Sequence, residues 1–570
     1  MAEETPNLVT INIDGKDYQV AAKQNLIDAA HSIGIEIPHY CYHPKLPTAG
    51  SCRMCLVEIG MPMRDRATGA PVMDEATGKQ KIGWMPKPAI ACGTTVSPGL
   101  HVKLHSKLTQ SSREGVTEFL LTNHPLDCPI CDQAGECTLQ EFSSQYGRGY
   151  SRYRDDKNVK PKHHALGTHV MYDGERCIRC TRCVRFCRDV MKKPVLGVVQ
   201  RGTHSYIDVY PGMSLDNNYS MNVVDVCPVG AMTSRDFRFR MRVWFLKKSK
   251  SICAESSVGV NTTVWSREGK IYRITPREND AVNVLWMSDS GRLRYKAVEA
   301  ETRLKGFRRG ETEVTLDEAA DAALALLKSG VPAFVGSGKM SVEEQFLLKK
   351  LAAACGGNVY LTKTLGRNDG MLISEDRTPN RRGALVTGLV KDFDSADISK
   401  LVAAVDAGEV NTIFVCGEDL QQFGFTAEHF KKIDIVYLGT HANATSDEAS
   451  VVLPSRTVFE KTGTFINQEF RLQRFEAAVP GNAGTEDDVR ILSVIAAKAR
   501  GAELSSTSVS AVRKGMRDEC AALAEIDFNK IPDTGTLLDA SPWAKIAFPE
   551  TGSFVWKPAA PKTEAAALSK

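Results

Sequence analysis

Between Asn7 and Ile13 apolar and polar side chains alternate along Asn-Leu-Val-Thr-Ile-Asn-Ile. That is the period of a half-buried strand, and Asp14-Gly15 then turns the chain into a second short strand ending near Val20. From Asn25 to Ile33 the pattern changes, with Leu26, Ala29, Ala30 and Ile33 falling on one helical face. A hairpin followed by a crossing helix predicts a β-grasp domain. A second helix is expected from a cap at Ser111 or Ser112 through Val116, Phe119, Leu120 and Leu121 to His124-Pro125. The stretch Arg235 to Lys250 alternates charge and bulk until Arg242, which predicts a strand or a linker docking on a partner, with membrane-surface binding a weaker alternative.

Past residue 250, Val-Asn-Thr-Thr-Val-Trp and Lys-Ile-Tyr-Arg-Ile-Thr-Pro read as short strands bounded by Gly and Pro. Apolar runs follow at Val331 to Val335, Asn358 to Leu361, Thr412 to Cys416 and Ile433 to Leu438. They alternate with helical segments near Val342 to Ala354 and Ala427 to Lys432, and strand-helix alternation predicts a parallel α/β sheet. Gly336-Ser337-Gly338-Lys339 is too short a glycine motif to be a phosphate site.

Composition narrows the function. The 570 residues and 62.4 kDa suit roughly three to five domains. With 72 basic against 68 acidic residues the net charge is +4, which argues against a dedicated nucleic-acid binder. The first residues carry Glu3 and Glu4 and no basic or apolar run, so neither a secretory signal nor a transit peptide is expected. No apolar stretch has the length to cross a bilayer. In a chain read on these grounds as cytoplasmic, sixteen cysteines are metal ligands rather than disulfides, and eleven of them precede residue 190.

Those cysteines fall into spaced sets. Cys177, Cys180, Cys183 and Cys187 form C-x2-C-x2-C-x3-C, the run that curls a backbone around a cuboidal iron-sulfur cluster, and a distant Cys227-Pro228 completes it. In two-cluster ferredoxins the fourth Cys of each run serves the other run's cluster. Counting back from Cys227 by that spacing reaches Val223, Ser220 and Asn217, so only one cluster survives. Cys177, Cys180, Cys183 and Cys227 are therefore assigned to it, leaving Cys187, followed by Arg188 instead of Pro, without metal. Zinc sites come as two C-x2-C pairs with a spacer and fit this run poorly.

Cys41, Cys52, Cys55 and Cys92 give C-x10-C-x2-C with a remote fourth thiol, akin to two-iron ferredoxins; Arg64 to Lys81 between them reads as a surface insertion. His124, Cys128, Cys131 and Cys137 form H-x3-C-x2-C-x5-C. An imidazole replacing one thiolate makes such a site less anionic and raises its potential. Arg176, Arg179, Arg182, Arg185, Arg188, Lys192 and Lys193 crowd the C-x2-C run, where guanidinium groups offset cluster charge.

The strings C-Y-H-P-K-L, S-C-R-M-C-L-V-E, N-H-P-L-D-C-P-I-C-D-Q-A-G-E-C and R-C-I-R-C-T-R-C-V-R-F-C together resemble the large iron-sulfur subunit of the peripheral arm of respiratory complex I, the 75 kDa subunit family of NADH-quinone oxidoreductase. The resemblance covers residues 1 to about 250. It implies one 2Fe-2S cluster on the Cys41 set and a 4Fe-4S cluster on each of the other two sets. Single electrons would be relayed from a flavin-bearing, NADH-oxidising partner to the two-iron centre, then the four-cysteine centre, then the His-ligated one, toward the quinone arm. The other peripheral-arm iron-sulfur subunits would be further partners, and the chain would sit peripherally on the cytoplasmic face of the inner membrane with no span of its own. The resemblance makes the chain part of an NADH:quinone oxidoreductase of the translocase type, with no substrate-converting site in this chain. Relatives carry C-x2-C-x3-C-x27-C at the next point, but from Cys253 that spacing reaches Ser256, Val260 and Ser288, so no fourth cluster is expected. The text G-T-H-A-N-A-T-S-D-E-A-S-V-V-L-P-S resembles a molybdopterin-oxidoreductase fold retained without molybdopterin.

The expected architecture is multidomain α+β and α/β. Residues 1–100 form a two-iron ferredoxin-like β-grasp domain, 101–145 an iron-sulfur domain with one His and three Cys ligands, and 146–245 a four-iron ferredoxin-like domain. Residues 246–500 form a degenerate molybdopterin-oxidoreductase-like α/β domain, and 501–570 an extension with a disordered tail. Against relatives with a longer C-terminal region the chain reads as truncated. Two rivals share the motifs: the wiring portion of a formate dehydrogenase or NAD-reducing hydrogenase, and a set of zinc scaffolds for assembly.

Overall fold

The computed structural model describes residues 7–75, 77–502 and 507–550. The chain divides into two compact units between Trp244 and Phe245, with both units internally packed. No helix among the described residues is long and apolar enough to cross a membrane.

The first unit begins with the expected hairpin. Strands Leu8–Ile13 and Lys16–Ala21 pair antiparallel around the Asp14-Gly15 turn, where Gly15 takes φ +85°. Strand His101–Lys103 joins Leu8–Ile13 in parallel and pairs Leu56–Pro62 antiparallel on its other side, which makes the sheet mixed. Helix Leu26–Ser32, capped by the Asn25 side chain, packs Leu26, Ala29 and Ala30 onto Ile11, Val20, Val57 and Val102. This is the β-grasp arrangement. The insertion between residues 64 and 81 is mostly exposed, turns on Asp65 and Asp74, and returns to the sheet through Ile82–Trp84.

The next helix departs from expectation. It runs Lys107–Thr122, starting at Ser106, whose hydroxyl accepts the Thr109 amide. Ser112 instead lies inside the helix and donates to the Leu108 carbonyl, the alternative open to a serine one turn into a helix. Beyond it come helix Thr138–Tyr146, the small sheet of His164–Ala165, Val170–Tyr172 and Met232–Ser234, and the hairpin Leu196–Val199 with Tyr206–Val209.

The second unit opens with antiparallel strands Lys247–Ile252, Asn261–Arg267 and Lys270–Pro276. Of the alternating stretch 235–250, only its last residues are strand, and Val243–Phe245 is a 3-10 turn. The predicted parallel sheet lies beyond. Strands Pro332–Gly336, Asn358–Leu361, Thr412–Cys416, Asp434–Gly439 and Val451–Pro454 are parallel and ordered second, first, third, fourth, fifth; Phe307–Arg309 and Thr312–Val314 extend the edge antiparallel. Alternate residues face opposite sides. Phe334, Phe414 and Val436 pack under helices Leu316–Ser329, Val342–Cys355 and Asp488–Ala499, while Val335, Val415 and Tyr437 pack with Leu401, Val405 and Phe430. Burial on both faces explains why these strands read as continuous apolar runs.

One boundary expected from the sequence is absent. Helix Val509–Glu519 sends Val512 and Met516 into the same core, Phe528 and Leu538 follow, and Thr536–Leu537 pairs with Arg471–Leu472. Residues 507–550 are thus part of the second unit rather than an extension, because their apolar positions complete its core. The tail from 557 lies outside the described residues.

Candidate iron-sulfur sites

The Cys41 set is assembled from four places. Cys41 and Cys52 bound the loop after the first helix, Cys55 opens onto strand Leu56–Pro62, and Cys92 sits in the 3-10 turn Ala91–Gly93. The Ala91 amide donates to the Cys55 carbonyl (3.0 Å) and Asn25 donates to the Cys92 carbonyl (2.6 Å), which pins the turn against the loop. Arg53 takes φ +62°, folding the backbone back between Cys52 and Cys55. The sulfurs are mutual neighbours. Hydrogen bonds from Cys52 and then Cys92 pull the Cys41 thiol well below the ordinary range, and Cys92 draws Cys55 down to about 7. Three of the four residues, Cys41, Cys55 and Cys92, are almost wholly buried.

The Cys177 set lines one cavity. Cys177, Cys180, Cys183 and Cys227 share its wall with Ile178, Thr181, Ile207, Val229 and Met232; Cys187 is not part of that wall and sits in the π-helical turn Phe186–Val190. Arg179 and Thr181 take φ +56° and +60°, a tight winding that turns the Arg179 amide onto Cys177 Sγ (3.4 Å). Burial pushes Cys180 up to about 11 and Cys227 up to about 12. Such thiols resist ionising alone and lose their protons readily only to a metal. The donor set fits a cluster.

His124 lies two residues past helix Lys107–Thr122, and burial lowers its imidazole to about 4, so the ring is neutral, the form that ligates. The Leu126 amide donates to Nδ1 (3.1 Å), which puts the ring proton on Nε2, so taking a metal requires the ring to give up that bond. Cys128 lies in the turn Cys128–Ile130, Cys131 follows it, and Cys137 precedes helix Thr138–Tyr146. Gly230, in the Cys227 loop, faces Cys131 so closely that a Cβ there would lie 2.2 Å from its Sγ. Among the described residues no three His, Cys, Asp or Glu side chains converge as a single-ion shell.

Arginines tie the three sets together, a function that charge crowding alone did not reveal. Arg185, 4% exposed, donates through Nη2 to the carbonyls of Cys41 (2.5 Å) and Cys180 (3.2 Å) and through Nη1 to that of Pro47. Arg182 donates to the carbonyls of Tyr42 and Val226 (3.3 Å to the latter). On the other side Arg176, 2% exposed, forks onto Asp127 (2.6 and 3.0 Å), the residue before Cys128. Thr138 donates to the Pro228 carbonyl (3.2 Å). Arg188, by contrast, pairs on the surface with its neighbour Asp189. The reach of Arg182 over 140 residues and of Arg185 over 144 leaves no signal in local spacing.

In the second unit, Cys253 and Ser288 remain side by side: a Cβ on Gly291 would lie 2.7 Å from Cys253 Sγ and 2.8 Å from Ser288 Oγ, and Ser288 donates to Glu255 (2.5 Å). Open sheets of this strand order bind ligands at the carboxyl ends where the order reverses. There Ser337 donates to buried Glu418, which also accepts from Lys339 (2.9 Å) and Thr362 (3.2 Å). The crevice residues satisfy one another.

These features define a modular iron-sulfur protein built from ferredoxin-type domains and a molybdopterin-oxidoreductase-type α/β domain. Family models match in that order: a 2Fe-2S iron-sulfur cluster binding domain at 7–77, the NADH-ubiquinone oxidoreductase-G iron-sulfur binding region at 113–152, and the NADH-quinone oxidoreductase subunit 3 ferredoxin-like domain at 167–233. An NDSU1/NuoG-like 4Fe-4S domain matches 246–296 and molybdopterin oxidoreductase 378–498. The chain is a homologue of the G subunit of NADH-quinone oxidoreductase. It is 35% identical over 405 residues to the G subunit from Rickettsia conorii, covering 70% of this chain and 55% of the relative. It is 39% identical over 364 residues to the mitochondrial NADH-ubiquinone oxidoreductase 78 kDa subunit of Neurospora crassa, covering 62% and 46%. The chain thus spans about half the length of the curated relatives it matches. A solved NAD+-reducing [NiFe]-hydrogenase is also similar, at 22% identity and TM-score 0.30 over 41% of this chain and 91% of that one.

Proposed function

We propose that this chain is an electron-transfer subunit of an NADH-quinone oxidoreductase. Cys41, Cys52, Cys55 and Cys92 would hold a 2Fe-2S cluster; His124, Cys128, Cys131 and Cys137 one 4Fe-4S cluster; and Cys177, Cys180, Cys183 and Cys227 another. Such clusters supply one-electron oxidation and reduction without proton chemistry. The chain's own residues fix their separations: Arg182 and Arg185 hold the Cys41 loop against the Cys177 motif, and Arg176 and Thr138 hold the His124 segment to its other side. The observation that supports the reading is that buried hydrogen bonds tie the segments bearing all three candidate sets together within one compact unit. NADH oxidation and quinone reduction belong to partners, a flavin-bearing subunit and the quinone arm, with this chain peripheral to the membrane on its cytoplasmic face. Neither the Cys253 remnant nor the closed Glu418 crevice would hold a fourth cluster or a pterin.

Metal and sulfide analysis with low-temperature EPR of the reduced protein tests this. About ten irons per chain in three paramagnetic centres are expected. Stoichiometric zinc or molybdenum, or a Cys227→Ser variant that keeps all three signals, overturns it.

A further inference from the structure

Tyr40 stands between two of the ligand sets. Its ring is wholly buried and meets Phe142 edge-on at 5.5 Å. Phe142 lies on the helix that begins directly after Cys137, while Tyr40 itself directly precedes Cys41. The phenol thus bridges the end of the His124 set and the start of the Cys41 set. Its hydroxyl is buried and has no hydrogen-bond partner in the structure.

A buried tyrosine almost always gives its O–H to an acceptor, and an orphan one calls for a group the structure does not contain. If nothing waited there, phenylalanine would fill the same space at less cost. We infer that Tyr40 donates its hydroxyl hydrogen bond to a sulfur of a cluster held by the His124 set or the Cys41 set, and so sets the reduction potential of that centre. The inference rests on the proposed clusters. A donor on a cluster sulfur favours the reduced state, which carries one more negative charge, so the bond raises the potential. Tyr40 is thereby a positioning and tuning residue, and it takes no part in proton transfer.

Redox titration of the full chain, followed by EPR, compares the wild type with Tyr40→Phe, which keeps the ring and its contact with Phe142. The expected result is a lower midpoint potential for one or both flanking centres and an unchanged one for the Cys177 set. A 3-fluorotyrosine at position 40, a stronger donor of similar shape, should move the same centre upward. Unchanged potentials in both variants, or an equal shift at all three centres, would overturn the inference. Absence of the centres from the wild type would instead remove the functional reading beneath it.

Discussion

Replacing Arg185 with methionine keeps most of the volume and removes every donor. Three carbonyls, those of Cys41, Pro47 and Cys180, then lose a charged partner in a site where the arginine is 4% exposed. A buried acceptor left unpaired costs about 1–3 kcal/mol. Relief from burying a guanidinium returns several kcal/mol, so the balance is a loss of about 2–4 kcal/mol in local stability. That loss is roughly a 30- to 900-fold increase in the fraction of molecules with the junction open. Iron escapes through such local openings, so the assay is the rate at which each EPR signal disappears from the full chain in the presence of a ferrous chelator. The two-iron signal and the four-cysteine signal should both decay faster, and the His-ligated signal should decay at the wild-type rate. Arg185→Lys, with three donors on one nitrogen, should recover part of the loss. Acceleration of only one of the two signals, or of neither by more than about threefold, would show that the arginine is a passenger.

Gly230→Ala places a methyl group 2.2 Å from Cys131 Sγ, so the His-ligated signal should be lost selectively while iron bound by the other two sets persists. Cys187→Ser, outside the cavity wall, should leave iron content unchanged, measured by the same chelator assay. In the second unit Lys461 pairs with Glu344 (2.8 Å) and Asp488 (2.9 Å), and Lys461→Met should destabilise that unit by about 3–5 kcal/mol in urea unfolding. Burial already lifts Glu344 to about 7. A carboxyl raised in the folded state supports the fold below its ordinary value near 4.5 and ceases to do so as pH climbs through 7, so without Lys461 the deficit should be larger at pH 8 than at pH 5.5; an equal deficit at both would refute the argument.

The hairpin, the helix Leu26–Ser32 and the parallel strands were legible because each is set by a local period of two or 3.6 and by turn residues. The start of the Lys107–Thr122 helix was missed since Ser106 and Ser112 offer the same hydroxyl, and only tertiary packing of Thr109, Arg113 and Thr117 selects between them. The ligand sets could be grouped from spacing, whereas the arginine ties could not, because Arg176, Arg182 and Arg185 look no different in sequence from exposed Arg188. Residues 507–550 fall in the stretch 501–570 that reads as an extension, since their apolar positions are sparse and serve a core built mostly from elsewhere.

The clamp on the first loop has a consequence for biosynthesis. Arg185 acts on Cys41 from 144 residues further along the chain. At about 5–20 residues per second, a ribosome needs roughly 7–30 seconds to make that stretch. Through that interval the earliest cysteines emerge without the guanidinium that later fastens them, so any cluster they take must either arrive late or be guarded by another protein until the Cys177 motif has been translated.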